Sequence, residues 1–214
     1  MKLSEYFKTP IFYDFKPNFL NLLNLTDKYI LEAKNANIKK IEDRNKFFNK
    51  DLKDKGFHYH SKSLLNDEDF KDFHSFVLQK SYEILDTIGY DLTNYQLKYT
   101  ESWVQEFSEK GCSFHNFHYH GNNHISGFYF LKSSYKTSKL YFLDPRTGHC
   151  TIKLPEKNEY DVTYANDNIK WETEPGLLFL FPSYLAHGFD VDYGIDPFRF
   201  IHINIKAIEK NLLI

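Results

Sequence analysis

The spacing of apolar residues changes once along this chain. From Pro17 to about Ala36, Phe19, Leu22, Leu23, Tyr29, Ile30 and Ala33 fall near helical intervals, with Leu20 and Leu25 widening the face. The polar run NKDLKDKG, residues 49–56, ends in glycine and reads as a loop. A second helix follows, capped by Asn66 or Asp67, with Phe70, Phe73, Val77, Leu78, Tyr82, Leu85 and Ile88 at three- and four-residue steps and Gly89 as its stop. After residue 93 the runs QLKYTESWVQEF, NHISGFYFL, SKLYFLD, GLLFLF and FRFIHINI are short and aromatic or β-branched, and Gly, Pro, Asn and Asp clusters separate them. This pattern predicts one α+β domain over residues 1–214. Residues 1–92 form a helical support, and residues 93–208 form an antiparallel barrel or sandwich.

Composition sharpens that picture. Phe at 21 and Tyr at 16, against one Met, suit the pleated faces of sheets. A formal charge of -2 gives no basic field for bulk nucleic-acid binding. Cys112 and Cys150 form no zinc-ribbon or disulfide pattern. The N-terminal stretch lacks a signal-peptide core, and no window approaches a membrane span. The expectation is a cytoplasmic protein with reduced thiols and no membrane partner, with room for a homodimer. Only Arg44, Arg146 and Arg199 are arginines among 27 basic residues, so each is a candidate for a two-pronged contact that lysine cannot make.

The candidate chemistry lies in FHNFHYHGNNHISGFYF, where His115, His118, His120 and His124 fall within ten positions. On a strand, residues two apart share a face, so His118 and His120 can present two imidazoles to one point. A third ligand is available in His187, in FPSYLAHGF after the apolar run GLLFLF. There Pro182 stops the ladder and Ser183 can bond the local backbone. A second His-x-His, His58 and His60, lies in a loop-like stretch with no partner suggested. His74 belongs to the helix pattern, and His149 to a turn. Asp144, Pro145 and Arg146 read first as an Asp-Pro turn, and Trp103 as core.

The ordered segments HYHGNNHISGFYFL, LYFLDPR, EPGLLFLFPSYLAHGF and FRFIHINI resemble the iron(II)/2-oxoglutarate oxygenases related to prolyl hydroxylases, in particular a phage and marine-bacterial group with HxH, SGxYY, DPR and FPSxLxH motifs. The resemblance covers about residues 93–208. It implies a double-stranded β-helix, a jelly-roll or cupin-like barrel, with Fe(II) at its open end and 2-oxoglutarate and O2 as co-substrates. His118, His120 and His187 match the metal positions. Arg199 matches the basic residue that grips the distal carboxylate of 2-oxoglutarate, with Tyr129 and Tyr141 as further co-substrate candidates.

Two departures stand out. The second motif position is usually a carboxylate, so either His120 makes a three-histidine shell or an acid such as Asp144 or Asp190 completes it. SGFYFL has Phe130 where related chains often have a second tyrosine. Which face of Ser126–Phe130 looks inward is open, because both faces are aromatic. The function implied is a 2-oxoglutarate-dependent dioxygenase, a hydroxylase of a peptidyl or small-molecule substrate, its pocket kept apolar by Phe114, Phe128 and Phe130. The alternatives are a three-histidine dioxygenase that does not use 2-oxoglutarate, and a non-catalytic barrel that only binds.

Overall fold

The computed structural model describes residues 4, 8–146, 154–158 and 161–210, so His149 and Cys150 lie outside the described residues. Ten strands form two antiparallel sheets. The larger sheet joins β1 (Phe12–Phe15), β8 (Leu177–Pro182), β5 (Ile125–Lys132), β10 (Arg199–Glu209), β3 (Tyr95–Phe107) and β2 (His58–His60), in that order. The smaller one joins β4 (His115–His118), β9 (His187–Phe189), β6 (Leu140–Leu143) and β7 (Asn168–Trp171). Two helices, α1 (Leu22–Phe47) and α2 (Lys71–Thr87), cover the outer face of the larger sheet.

The alternation of side chains along β5 and β10 divides the protein into two cores. Tyr129, Leu131, Ile201, Ile203 and Ile205 point to the helices, where they meet Tyr29, Phe70, Phe73 and Val77. Phe128, Phe130 and Phe200 point into the barrel, against Phe142, Phe179, Phe181 and Phe189 of the opposite wall. That settles the face left open by periodicity. Each buried ring of this kind contributes roughly 2 to 3 kcal/mol of apolar transfer free energy.

α1 starts after a 3-10 turn, Pro17–Phe19, because proline fixes φ there, and it runs eleven residues past Ala36. Those extra turns bury nothing; the last buried residue of α1 is Ala33. At α2 the cap is Asp67, whose Oδ1 accepts the Asp69 N–H at 3.0 Å. Gly89, at φ 101°, closes the helix. No helix is long and apolar enough to cross a membrane among the described residues, and Cys112 is a free, exposed thiol.

Candidate metal centre

β4 and β9 pair with His118 directly opposite His187. Gly188 makes this approach feasible, since a Cβ there would lie 2.6 Å from the His115 carbonyl oxygen. The Pro-Ser turn before His187 clasps the loop that carries His120: the His120 N–H donates to the Ser183 carbonyl at 2.9 Å, and the Ser183 hydroxyl donates to the Asn123 carbonyl. His120 lies just past the end of β4.

The three imidazoles form a near-equilateral cluster. Ring centroids lie 4.6 Å apart for His118 and His187, 5.1 Å for His118 and His120, and 5.3 Å for His120 and His187. One ligand atom from each falls within 4.8 Å of the other two. His118 Nδ1–H donates to the Asn116 carbonyl at 2.9 Å, and His187 Nδ1–H donates to the Leu185 carbonyl at 2.9 Å. A carbonyl can only accept, so both rings carry their proton on Nδ1 and turn a bare Nε2 to the cluster. His187 is fully buried, and its Nε2 has no hydrogen-bond partner. A buried nitrogen lone pair left without a partner costs about 1 to 3 kcal/mol. A metal ion would satisfy it.

Burial pushes His187 down to about 3, and neighbouring imidazoles add to the effect. His120 is lowered for the same reasons, with Glu101 opposing. These rings are neutral at pH 7, the state that binds metal. The residues therefore fit a first-row transition ion held on one face by three imidazoles, with the opposite face open.

Around the cluster, His120 Nε2 lies 3.4 Å from His202 Nε2 and its Nδ1 lies 3.2 Å from Asn204 Nδ2. Asn204 Nδ2 in turn donates to Glu101 Oε2 at 2.6 Å. Glu101 is the one acid that shares a potential metal-binding group with these histidines among the described residues. Asp144 is held by Arg146, and Asp190 accepts from the Lys139 N–H, Ser138 and Tyr141; neither is in the cluster. Trp103, expected as core, instead stacks on His202 at 4.2 Å and on His60 at 4.4 Å. It lines a cleft of about 370 Å³ with His60, Glu101, His120, Phe128 and His202.

The co-substrate residues expected from the sequence are not brought to this cleft. Arg199 faces the helices: its Nε donates to Glu106 Oε2 at 2.7 Å, and its Nη1 donates to Asp27 Oδ1 at 2.6 Å and to Thr26 Oγ1 at 3.0 Å. The guanidinium is committed to buried Glu106 and Thr26 and to Asp27 on α1, on the side of β10 away from the barrel. Alternation along β10 puts Arg199 on the same face as Ile201 and Ile203, and its pairing with Glu106 on β3 continues that face. Tyr129 also faces the helices, its hydroxyl donating to the Lys16 carbonyl at 2.8 Å. Tyr141 lies on the outer face of β6, bonded to Asp190 at 3.2 Å. Of the apolar expectations, Phe128 meets His187 and His202, Phe130 lies deeper in the barrel, and Phe114 is half exposed.

Residues 101–194 match the family model described as "Putative 2OG-Fe(II) oxygenase". That span begins at Glu101 and includes His115, His118, His120 and His187, but ends before Arg199. Solved structures give the same fold at low identity. AviO1 from Streptomyces viridochromogenes Tue57 is 12% identical, with 92% of this chain and 90% of that one covered and a TM-score of 0.56. A prolyl-4-hydroxylase from Pseudomonas putida is 9% identical, covering 92% and 93%, at 0.52. The viral collagen prolyl hydroxylase of Paramecium Bursaria Chlorella virus-1, in its 2OG complex, is 12% identical, covering 92% and 96%, at 0.50. No curated protein matches the chain. The two packed sheets are thus a double-stranded β-helix with a histidine cluster at its mouth. Residues 101–194 of this barrel are similar to the 2OG-Fe(II) oxygenase family model.

Proposed function

We propose that this protein is a 2OG-Fe(II) oxygenase that hydroxylates a peptidyl group, and that His118, His120 and His187 together hold its iron. The observation that carries the metal assignment is the bare, buried Nε2 of His187 beside two further imidazoles. Bound iron would supply the activation of O2 for C–H oxidation, coupled to decarboxylation of 2-oxoglutarate. The chain's own contribution is to bind and orient. Backbone carbonyls of Asn116 and Leu185 fix the tautomers of His118 and His187, so two of the three ligands need no reorganisation on metal binding. Phe128 and Phe181 wall off His187 from water. His120, lacking the negative charge of a carboxylate, leaves the metal more electropositive and favours anionic co-ligands.

The peptidyl reading rests on the surface around the site. Phe114, Phe117 and Tyr119 stand exposed along the strand and loop that carry His118 and His120, and such a rim suits an extended chain laid across the mouth. Two of the solved structures that share the fold are prolyl hydroxylases. The test is succinate release from 2-oxoglutarate with Fe(II), against a proline-containing peptide panel and the free amino acids. Turnover that rises with peptides and falls to background in His118→Ala and His187→Ala is expected. Turnover stimulated by free amino acids alone would overturn the peptidyl reading, and full turnover in either variant would overturn the ligand assignment.

A further inference from the structure

Facing the iron cluster across the same cavity is a second group of imidazoles, from the His-x-His that had no partner in the sequence. β2 pairs with β3 at the edge of the larger sheet, placing His58 opposite Phe107 and His60 opposite Gln105, so both rings share the barrel-side face and stay exposed there. Between them Tyr59 turns away to the helix side, where its hydroxyl donates to Asp54. His115 comes to meet them from β4. The ring centroids lie 5.0 Å apart for His58 and His60, 4.9 Å for His58 and His115, and 5.9 Å for His60 and His115. A ligand nitrogen from each falls within 4.8 Å of the others.

We propose that His58, His60 and His115 form a second transition-metal site, distinct from the iron cluster and sharing no ligand with it. Three observations support it. His115 Nε2 lies 2.6 Å from the buried Gln105 amide, which fixes the ring; with the amide oxygen turned to accept from Nε2–H, Nδ1 is the bare nitrogen. His58 and His60 make no hydrogen bond among the described residues, although each ring has two polar nitrogens. The adjoining cleft, about 340 Å³, is lined by Gly56, His58, Phe114, His115, Asn116 and His118, with room for water on an ion's open side and no Arg or Lys to repel it.

The donor set defines the ion. Three neutral imidazoles without a carboxylate suit Zn(II), Co(II), Ni(II), Cu(II) or Fe(II) and discriminate against Mg(II) and Ca(II), which need oxygen ligands. The two clusters are close, with His115 and His118 ring centroids 6.0 Å apart. An ion on the β2 side would therefore place a fixed positive charge at a cavity whose two clefts offer no Arg or Lys.

The test is an anaerobic titration of the metal-free full chain with Co(II), following its visible d–d bands and the bound equivalents by dialysis. Wild type is expected to bind two equivalents. His58→Gln and the double variant H58Q/H60Q should bind one, with unchanged circular dichroism and melting, because these are exposed rings on an edge strand. His187→Leu should bind one as well, by losing the other equivalent. A single equivalent in wild type, or two in H58Q/H60Q, overturns the second site. Two equivalents retained in His187→Leu would instead overturn the iron-ligand assignment and leave this one standing.

Discussion

The two faces of β10 carry two buried polar networks of opposite character. Toward the helices, Arg199 and Glu106 face each other across the β10–β3 pair, each 4% exposed, and every charge is answered: Glu106 Oε1 by Lys34 at 2.6 Å, Oε2 by Arg199 at 2.5 Å, and the far side of the guanidinium by Asp27 and Thr26. Toward the barrel, His202 and Gln105 join His187 in a cavity where groups are left unanswered. Of five buried side-chain atoms without a partner among the described residues, three are here: His187 Nε2, His202 Nδ1 and Gln105 Oε1. One network is complete in the protein alone and tethers α1 to the sheet; the other is completed by something the chain must bind. Unmet hydrogen-bonding capacity in an apolar barrel is a better pointer to chemistry here than charge, since the buried ion pair of Arg199 and Glu106 belongs to the structural face.

Breaking the open network should have the largest effect on function and the smallest on folding. His187→Leu removes an orphaned nitrogen and fills its place with an apolar group. Iron binding and succinate release should vanish, while the metal-free melting transition stays within about 1 kcal/mol of wild type or rises. A large destabilisation of the metal-free protein would mean that His187 is structural.

Breaking the closed network should do the reverse. Arg199→Ala strands the buried Glu106 carboxylate and frees Asp27, and is expected to destabilise by about 3 kcal/mol, read by urea denaturation. The affinity for 2-oxoglutarate, measured below the lowered melting temperature, should not change. Unaltered stability with weakened co-substrate binding would return Arg199 to the active site.

Acid should weaken both regions by one mechanism. His74, bonded to Ser102 under α2, is held near 4, and His187 near 3, both by burial, from an ordinary value of 6.5. The unfolded chain takes up protons below pH 6.5 that these folded rings refuse. Their contribution is therefore complete above pH 6.5 and is lost progressively as the pH falls toward 4 and then 3. Urea melts of metal-free protein at pH 7.5, 6 and 5 should give falling midpoints. A flat profile would show the rings to be solvated.

A smaller change is expected from His120→Asp. A carboxylate supplies negative charge at the second motif position, so iron should be held as tightly or more tightly, with the imidazole contribution to the iron X-ray absorption spectrum reduced by one ring. An unaltered spectrum would make His120 a bystander, with Glu101 the nearby acid to examine next.

Much of this was legible in the sequence. The long aromatic runs that became β3, β5, β8 and β10 announce themselves, and so do α2 with its Asp67 cap and the pairing of His118 with a distant His187. What escaped has physical causes. β2, β4 and β9 are three or four residues long, too short for periodicity to register, and β2 carried the second histidine pair. Its partner His115 lies 55 residues further along the chain, so only the fold brings the three together. The co-substrate role of Arg199 came with the resemblance, whereas alternation along β10 sets it with Ile201 and Ile203 on the helix face. Glu101 and Trp103 looked like ordinary strand residues; their role follows from which strand of the barrel stands next to His120 and His202.

The most direct measurement is an anaerobic titration of 2-oxoglutarate into iron-loaded protein, following the visible metal-to-ligand charge-transfer band in wild type, Arg199→Ala and His187→Leu side by side. The closed and open networks predict a band of equal midpoint in wild type and Arg199→Ala, and none in His187→Leu. A band lost in Arg199→Ala but kept in His187→Leu would contradict the account, as would a wild type with no band at all.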